Sequence, residues 1–420
     1  MKTLSFFATP VLSKTYRIRP DAVAMCLYFL ASLADGALMP FFALWAQHKA
    51  NISLPFIGLL LACYAGGELI ATPLLGGIAD RVGRRPVLLC TTLGVGGGFL
   101  LLAHLHGVLA IALCLIGIGI FECALHPTVS TVIADTAPAD RLRMRYAAAR
   151  MASNLGHVAG PALGAALALL SLNAVFVGCG LSLLCASMLV VLMLPETRLK
   201  GAAEGDSEQE DDDEEGLSTL LPAFRDSRLA AVLLWFAIIE IVGSWPEVVM
   251  PPYAHGAHVL SASGVGLLFA YTAAVAVILQ WPITQWSSKI AAFPLLIAAG
   301  VAVAGSFALL LIHPQVFTLY ASGTLLALAQ VLFGPLMPVA VNALAPPSAR
   351  ASYMAAISTV NDLKDTAGPA SGMYLYGVSA RLPWLLGMPI VLLAALALAI
   401  AIKRGERLED AAESRCKALP

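Results

Sequence analysis

Residues 76–85 read Gly76-Gly-Ile-Ala-Asp-Arg-Val-Gly-Arg-Arg85. This stretch of turn-forming and charged residues separates two long apolar runs, 54–75 and 86–103. Charged side chains at this density are costly in hydrocarbon, so the stretch is expected to form a short loop at one face of a membrane. Gly76 and Gly83 allow a sharp turn and a close approach of the flanking helices. The stretch therefore predicts a chain that crosses a lipid bilayer more than once.

The composition also indicates a polytopic membrane protein. Of the 420 residues, 59% are hydrophobic and 12% are charged, whereas soluble domains contain about 25% charged residues. The net charge of −1, with no basic patch interleaved with aromatic residues, gives no indication of nucleic-acid binding. The eight cysteines are scattered without a Cys-x-x-Cys pair, and we interpret them as small hydrophobic residues.

Twelve apolar segments are long enough to cross roughly 30 Å of hydrocarbon as helices. They lie near 22–46, 54–78, 86–103, 108–134, 146–170, 173–194, 229–254, 262–286, 290–312, 316–344, 353–378 and 383–402. An even number of spans places both termini on one side. Of the 25 Lys and Arg residues, 22 fall on that side, one lies within a span, and only Lys49 and Arg381 fall opposite. This asymmetry predicts cytoplasmic termini and a multi-pass protein of the cell (inner) membrane.

The spans divide the chain into five parts. These are a cytoplasmic N-terminal segment (1–20), a six-helix bundle (21–194), an acidic linker (195–228), a second six-helix bundle (229–402) and a cytoplasmic tail (403–420). The basic residues that lead into the first span predict a cytoplasmic segment rather than a cleaved signal peptide. The linker carries nine acidic residues within 204–215, which indicates a disordered, solvated segment, with a regulatory or metal-binding role as the alternative.

The two bundles carry similar sequences at an offset of 208 residues. Ile57-Gly58-Leu59-Leu60 recurs as Val265-Gly266-Leu267-Leu268, Pro127 and Pro138 recur as Pro335 and Pro346, and Gly160-Pro161 recurs as Gly368-Pro369. The counterpart of the 76–85 stretch, around 284–289, is degraded. The repeats predict two structurally related halves.

The 76–85 stretch resembles the signature between helices 2 and 3 of the major facilitator superfamily of transporters. The matching residues of this gating loop motif are Gly76, Asp80, Arg81, Gly83, Arg84 and Arg85. The resemblance covers nearly all of 21–402. It implies an all-α integral membrane fold with 12 transmembrane helices in two pseudo-symmetric six-helix bundles, and a cavity lined by helices 1, 4, 7 and 10. It also implies a contact between Asp80 and the N-terminus of helix 11.

A second motif lies in span 5, where Gly156, Gly160, Pro161 and Gly164 form the pattern Gly-x-x-x-Gly-Pro-x-x-Gly. Glycines four residues apart share a helix face and allow close packing. The pattern resembles the antiporter motif of the drug:proton antiporter branch of the superfamily, where it marks exporters. A packing stripe of small residues is the alternative explanation. Span 11 repeats part of the pattern in Gly368, Pro369 and Gly372.

Acidic residues within the spans are the candidates for proton coupling. Asp35 precedes Pro40 by five residues, which resembles another element of the antiporter branch. An acid within a span costs on the order of 2.5–3.5 kcal/mol, so Asp35 is expected to face a cavity and to bind a proton. A hydrogen-bonded structural role is the alternative. Glu122 is the second candidate, and it shares a helix face with His126 four residues later.

Further charged candidates lie in spans 7 and 11. Glu240 and Glu247 share a face and are expected to bind protons or a cationic substrate. Asp362 and Asp365 are proton-coupling candidates beside Lys364. Because Lys364 lies roughly 200° around the helix from Asp362, it is expected to pair across to another helix. A gate salt bridge and a proton-coupled switch are both compatible with this group.

Two positions depart from the family pattern. The antiporter branch often carries an arginine within helix 4, but 113–119 contains none, and Arg150 at the start of helix 5 is the nearest candidate for charge pairing. His157 falls inside the glycine motif, where a small or apolar residue is expected. We interpret it as a buried neutral histidine, with a pH-sensitive site as the alternative.

Aromatic and polar side chains on the implied cavity helices complete the predicted site. The aromatic residues are Phe41, Trp45, Phe121, Trp245 and Phe333, with core packing or interface anchoring as the alternative. Span 10 adds Gln330 and Asn342. The sequence contains no phosphate-binding Gly-x-x-x-x-Gly-Lys-Ser/Thr motif and no nucleophile elbow, so neither ATP use nor enzyme activity is expected. A metal site at His255-x-x-His258 is not expected either.

Together these features predict a secondary active transporter that exports small amphipathic, drug-like molecules in exchange for protons by alternating access. The predicted partners are a small-molecule substrate, protons and the lipid bilayer, with no cofactor besides the proton gradient and a monomeric protein. The alternatives are a proton-coupled importer or facilitator of a small nutrient such as a sugar or organic acid, and a lipid-handling or receptor-like protein.

Overall fold

The computed structural model describes residues 20–48, 51–75, 78–136, 142–195, 226–287, 289–312, 314–345 and 350–417. The first half contains α1 (Pro20–His48), α2 (Leu54–Leu75), α3 (Arg84–Leu102), α4 (Val108–Glu122, continuing as Leu125–Thr136), α5 (Leu142–Ala168) and α6 (Leu172–Met193). The second contains α7 (Ser227–Gly243, continuing as Trp245–Gly256), α8 (Ala262–Ser287), α9 (Ala292–Leu311), α10 (Val316–Phe333, continuing as Leu336–Leu344), α11 (Arg350–Val378) and α12 (Leu382–Lys417).

The helices confirm the predicted fold class. Ten segments of the described chain are long and apolar enough to cross a membrane, and they correspond to all helices except α5 and α11. Those two contain 27 and 29 residues, which is sufficient length, but both carry polar residues that lower their mean hydropathy. The protein is therefore a multi-pass membrane protein built from two six-helix halves.

Three of the four helices predicted to line the cavity are interrupted near their middle. α4 is interrupted after Glu122, α7 at Ser244 and α10 at Gly334. A proline follows each interruption within four residues, and its ring removes a backbone donor and disturbs the preceding turn. Interruptions inside a membrane are tolerated where the backbone faces a cavity rather than lipid. Their position indicates that the centre of the bundle is hollow.

The glycine motif of α5 packs this helix tightly on α1. A side chain at Gly156 would meet the backbone of Phe29, and one at Gly160 would meet the backbone of Leu33. At Gly164 the neighbour is the ring of Phe41. The contacts confirm that these glycines allow close helix packing. This packing role does not depend on whether the motif marks an exporter.

The second half repeats this packing between α11 and α7. A side chain at Gly368 would meet Ser244, and one at Gly372 would meet Trp245. The indole of Trp245 also donates a 3.0 Å hydrogen bond to Ser371 Oγ. Because Gly368 and Gly372 are the repeat counterparts of Gly160 and Gly164, the sequence repeat corresponds to a structural repeat of helix pairs.

Gly160→Ala is expected to destabilise the protein by about 1–3 kcal/mol, because the added methyl group meets the backbone of Leu33, which cannot move without displacing α1. The thermal midpoint of the detergent-solubilised protein measures this effect. Gly97→Ala is the matched control, since a side chain there meets nothing within 4 Å. Equal midpoints for the two variants would contradict the close packing of α5 on α1.

The halves touch each other at the end of the bundle that carries residues 51–53 and 257–261, here called the distal end. Gly58 of α2 packs against the backbone of Pro369, and its repeat counterpart Gly266 of α8 packs against Phe41 and Pro161. The rings of His48 and His255 lie 4.8 Å apart between their centroids. These contacts close the distal end.

The predicted loop motif lies at the opposite, proximal end. Gly83 has φ = 112°, a conformation that favours glycine, and it precedes α3. Arg84 Nε lies 3.1 Å from Asp135 Oδ2 at the end of α4, and Arg85 donates a 2.7 Å hydrogen bond to the carbonyl of Val191. The motif therefore joins the proximal ends of α3, α4 and α6.

Several predictions concern parts of the chain that the structure does not describe. Gly76, the acidic run 204–215 and residues 1–19 lie outside the described residues, and the side chains of Asp80 and Arg81 are not described either. The predicted contact between Asp80 and helix 11 therefore stays a prediction.

Candidate functional site

A cavity of about 610 Å³ lies between the two halves. It lies on the proximal side of the distal contacts, because its wall residues on α2 follow Gly58 and those on α11 precede Pro369. Most of the wall is apolar, with Met39, Leu268 and Phe269 among its members. A volume of this size is typical of sites for small organic molecules.

The first half contributes a compact polar cluster to this cavity. Tyr64 Oη donates a 2.6 Å hydrogen bond to Glu122 Oε2, and Glu122 is only 3% exposed. The carboxyl groups of Asp35 and Glu122 are also close together, with oxygens within 4.8 Å of each other. His126 Nε2 lies 3.9 Å from Asp35 Oδ2, so these four side chains form one connected group.

Contacts between α1 and α4 hold this cluster in place. His126 lies just beyond the interruption of α4, its ring is 5.4 Å from that of Tyr28, and its carbonyl accepts a 3.1 Å hydrogen bond from the Tyr28 hydroxyl. Tyr28 is also 2.5 Å from Ser130 Oγ. α1 and α4 are therefore tied together one to two turns from Asp35.

The second half contributes a separate charged group. Lys364 Nζ lies 3.1 Å from Asp365 Oδ1, and Glu247 and Glu240 lie on α7, which packs against α11. All four side chains line the cavity. The cavity thus has a carboxyl–histidine–tyrosine cluster on one wall and a lysine among three carboxylates on the other.

The structure brings most of the predicted polar residues into this one cavity. The wall includes Asp35, Glu122, His126, Glu240, Glu247, Gln330, Phe333, Lys364 and Asp365. As predicted, Glu122 and His126 face the same side, and so do Glu240 and Glu247, even though α4 and α7 are interrupted between them.

The other predicted residues lie elsewhere. Phe41 and Trp45 are fully buried in the core between helices, Trp245 is 4% exposed beneath Gly372, and Phe121 is 44% exposed on the outside of α4. These four do not line the cavity. Their helical phase directs them into helix contacts or toward lipid instead.

Three charged residues also differ from their predictions. The ion pair of Lys364 is with its neighbour Asp365 on the same helix, although Glu240 and Glu247 of α7 line the same cavity. Asp362 and Arg150 are exposed and are not part of the cavity wall. His157 is not buried as expected, since it is exposed at the cavity wall with Nδ1 3.1 Å from the Ser153 carbonyl.

Two polar wall residues of α2 were not predicted as part of the site. Tyr64 and Glu68 lie four residues apart on α2, a helix outside the four expected to line the cavity. Their spacing within an apolar span places both polar groups on one face and was the available signal. α8 also contributes Thr272 to the wall.

The ligand atoms of Asp35, Glu122 and His126 lie within 4.8 Å of one another. These side chains can bind protons, and they are also close enough together to coordinate a divalent cation. No metal site is expected from the sequence, and the hydrogen bond from Tyr64 already satisfies one Glu122 oxygen.

Tyr64→Phe is expected to make proton retention by the cluster tighter, because the tyrosine hydroxyl stabilises the ionised form of Glu122. Substrate should then displace the proton less readily, with a loss of apparent substrate affinity of about fivefold at neutral pH, in line with about 1 kcal/mol for one hydrogen bond. Substrate titration at several pH values measures the effect. A change that is the same at all pH values would contradict a link to the proton.

The family model described as "Major Facilitator Superfamily" matches residues 24–363 and 248–417. The chain belongs to the Major Facilitator Superfamily. A tetracycline resistance protein of class D from Salmonella ordonez is 24% identical over 391 residues, which cover 91% of this chain and 97% of that protein. A class E tetracycline resistance protein from Escherichia coli is 28% identical over 233 residues, 54% of this chain and 56% of that protein.

Solved structures share the architecture of this superfamily member. The nucleoside transporter NupG superposes with a TM-score of 0.77 at 14% sequence identity. The match covers 92% of this chain and 99% of that one. At this identity the likeness confirms the major facilitator fold alone. The chain is therefore a transporter of this superfamily, with relatives that are resistance proteins, and its substrate is a small molecule.

Proposed function

We propose that this transporter exports small amphipathic molecules in exchange for protons by alternating access. The observation that carries the proposal is the cluster of Asp35, Glu122, His126 and Tyr64 on the wall of the central cavity. Two carboxyl groups with oxygens within 4.8 Å repel each other when both are ionised, so the pair favours holding one proton. A cavity that holds a titratable pair beside an apolar wall can bind a proton or an amphipathic ligand.

The direction of transport is inferred from the relatives. A membrane transporter confers resistance to a drug by removing it from the cell, and two relatives are named as tetracycline resistance proteins. The cavity composition agrees with an amphipathic substrate, because Gln330 is the only amide side chain among the described wall residues. The apolar residues Met39, Leu268 and Phe269 on the same wall support binding of the apolar part of such a substrate.

The proposed cycle uses the two halves as rigid units. With the distal end closed, the cavity faces the proximal side, where substrate displaces the proton from the Asp35–Glu122 pair. The halves then rock about the cavity, the distal contacts of Gly58 and Gly266 separate, and substrate leaves as a proton binds. In this proposal the proximal side is the cytoplasm, both termini are cytoplasmic, and the protein is a monomer of the inner membrane.

The proposal is tested with purified protein reconstituted into lipid vesicles, with tetracycline and tetraphenylphosphonium as probes. An acidic vesicle interior should drive accumulation of a probe inside, and a protonophore should abolish it. Accumulation that is independent of the pH gradient would contradict proton exchange. Accumulation driven by an acidic exterior would instead indicate symport and thus an importer.

A further inference from the structure

The internal sequence repeat relates Lys364 of the second half to a residue of the first half. Lys364 is the counterpart of Gly156 at the same offset that relates Gly368 to Gly160. At Gly156 the helices α5 and α1 touch, and a side chain there would meet the backbone of Phe29. At Lys364 the corresponding pair, α11 and α7, leaves room for a long side chain that is 24% exposed and lines the cavity. The first half therefore has a helix contact at Gly156, whereas the second half has a cation that lines the cavity at the corresponding position, Lys364.

The surroundings of this cation are acidic. Its ammonium group is 3.1 Å from Asp365 Oδ1, and Glu247 and Glu240 of the adjacent helix α7 line the same cavity. Gly368 and Gly372, which pack α11 on α7, hold Lys364 opposite these glutamates. Three acidic residues therefore favour a positive charge at this position of the cavity. The ammonium group of Lys364 occupies that position.

We propose that Lys364 determines substrate specificity by competing with the cationic group of an organic-cation substrate for Glu240, Glu247 and Asp365. This inference rests on the proposed function, because it assigns the substrate class of the same cavity. A ligand cation must share these carboxylates with the lysine or displace it, so Lys364 limits the affinity for cations.

The competition is measured as equilibrium binding of tetraphenylphosphonium to the purified protein. This probe carries a permanent positive charge and no hydrogen-bond donor, so its binding reports charge and apolar contact alone. Lys364→Gln is expected to bind it about tenfold more tightly than the parent, since a positive charge within the site is removed. Lys364→Arg retains the charge and should bind within about threefold of the parent.

Arg150→Gln is the matched control, because it removes an exposed cation that is not part of the cavity wall. It should leave binding unchanged. Glu247→Gln tests the same proposal with the opposite sign and should weaken binding about tenfold, whether or not Lys364→Gln folds. Unchanged or weaker binding by folded Lys364→Gln, or unchanged binding by Glu247→Gln, would overturn the proposal.

The binding experiment distinguishes a failure of this inference from a failure of the proposed function. Binding is measured without a proton gradient, so an affinity change in Lys364→Gln stands even if no proton is exchanged. Conversely, proton-coupled accumulation with unchanged affinity in this variant would retain the export mechanism and overturn only the role of Lys364.

Discussion

Asp35→Asn is expected to abolish proton-driven accumulation of substrate in vesicles. The amide cannot bind the exchanged proton, and for one proton exchanged against a neutral substrate a potential of 100 mV supplies about 2.3 kcal/mol, which sustains roughly a 50-fold substrate gradient. In the variant the substrate ratio should fall to the value set by passive distribution. Substrate binding should persist, because the apolar wall and the second charged group remain.

Asp362→Asn is the matched comparison for this variant. It makes the same chemical change in another acid of the membrane region, but the Asp362 side chain is exposed and not part of the cavity wall. The structure therefore predicts that it retains the gradient. A full gradient in Asp35→Asn, or its loss in both variants, would contradict the assignment of the proton to the Asp35–Glu122 pair.

Gly58→Val is expected to prevent the distal end from closing. A side chain at this position meets the backbone of Pro369 and Ala370 in the other half, so the closed state cannot form without separating α2 from α11. Overpacking of about 2 kcal/mol shifts the equilibrium between the two states roughly 30-fold away from the closed form. Transport should fall by a similar factor, because the cycle requires both states.

Closure of the distal end is measured by thiol cross-linking. Cysteines placed at His48 and His255, whose rings lie 4.8 Å apart between centroids, should be joined by a short cross-linker when this end is closed. Gly58→Val should lower the yield. Gly66→Val on the same helix is the control, because a side chain there meets nothing within 4 Å. Equal yields would show that Gly58 does not determine closure.

The sequence predicts the architecture well because membrane crossing imposes strong local constraints. Apolar length and the 76–85 loop are both local signals, and all twelve predicted helices are present in the structure. Acidic residues within spans were also informative, since their cost favours a position that faces a cavity, although Asp362 lies outside the wall and Glu68 was missed. Asp35, Glu122, Glu240 and Glu247 all lie on its wall.

Residues whose role depends on helix packing could not be predicted in this way. Phe41 is on a cavity helix, yet its ring fills the space beside Gly164 and Gly266, and this contact follows only from how three helices meet. Tyr64 was missed because a single tyrosine in an apolar span carries little cost and so gives little signal. Likewise, the position of Lys364 opposite α7 depends on the packing of Gly368 against Ser244.

The most direct test of proton exchange is substrate-triggered proton release from the purified protein in weakly buffered solution. Addition of a probe that binds, such as tetracycline or tetraphenylphosphonium, should release protons in proportion to the amount bound, and Asp35→Asn or Glu122→Gln should release none. Binding of either probe without any proton release by the parent protein would contradict the exchange of substrate for a proton at this cluster.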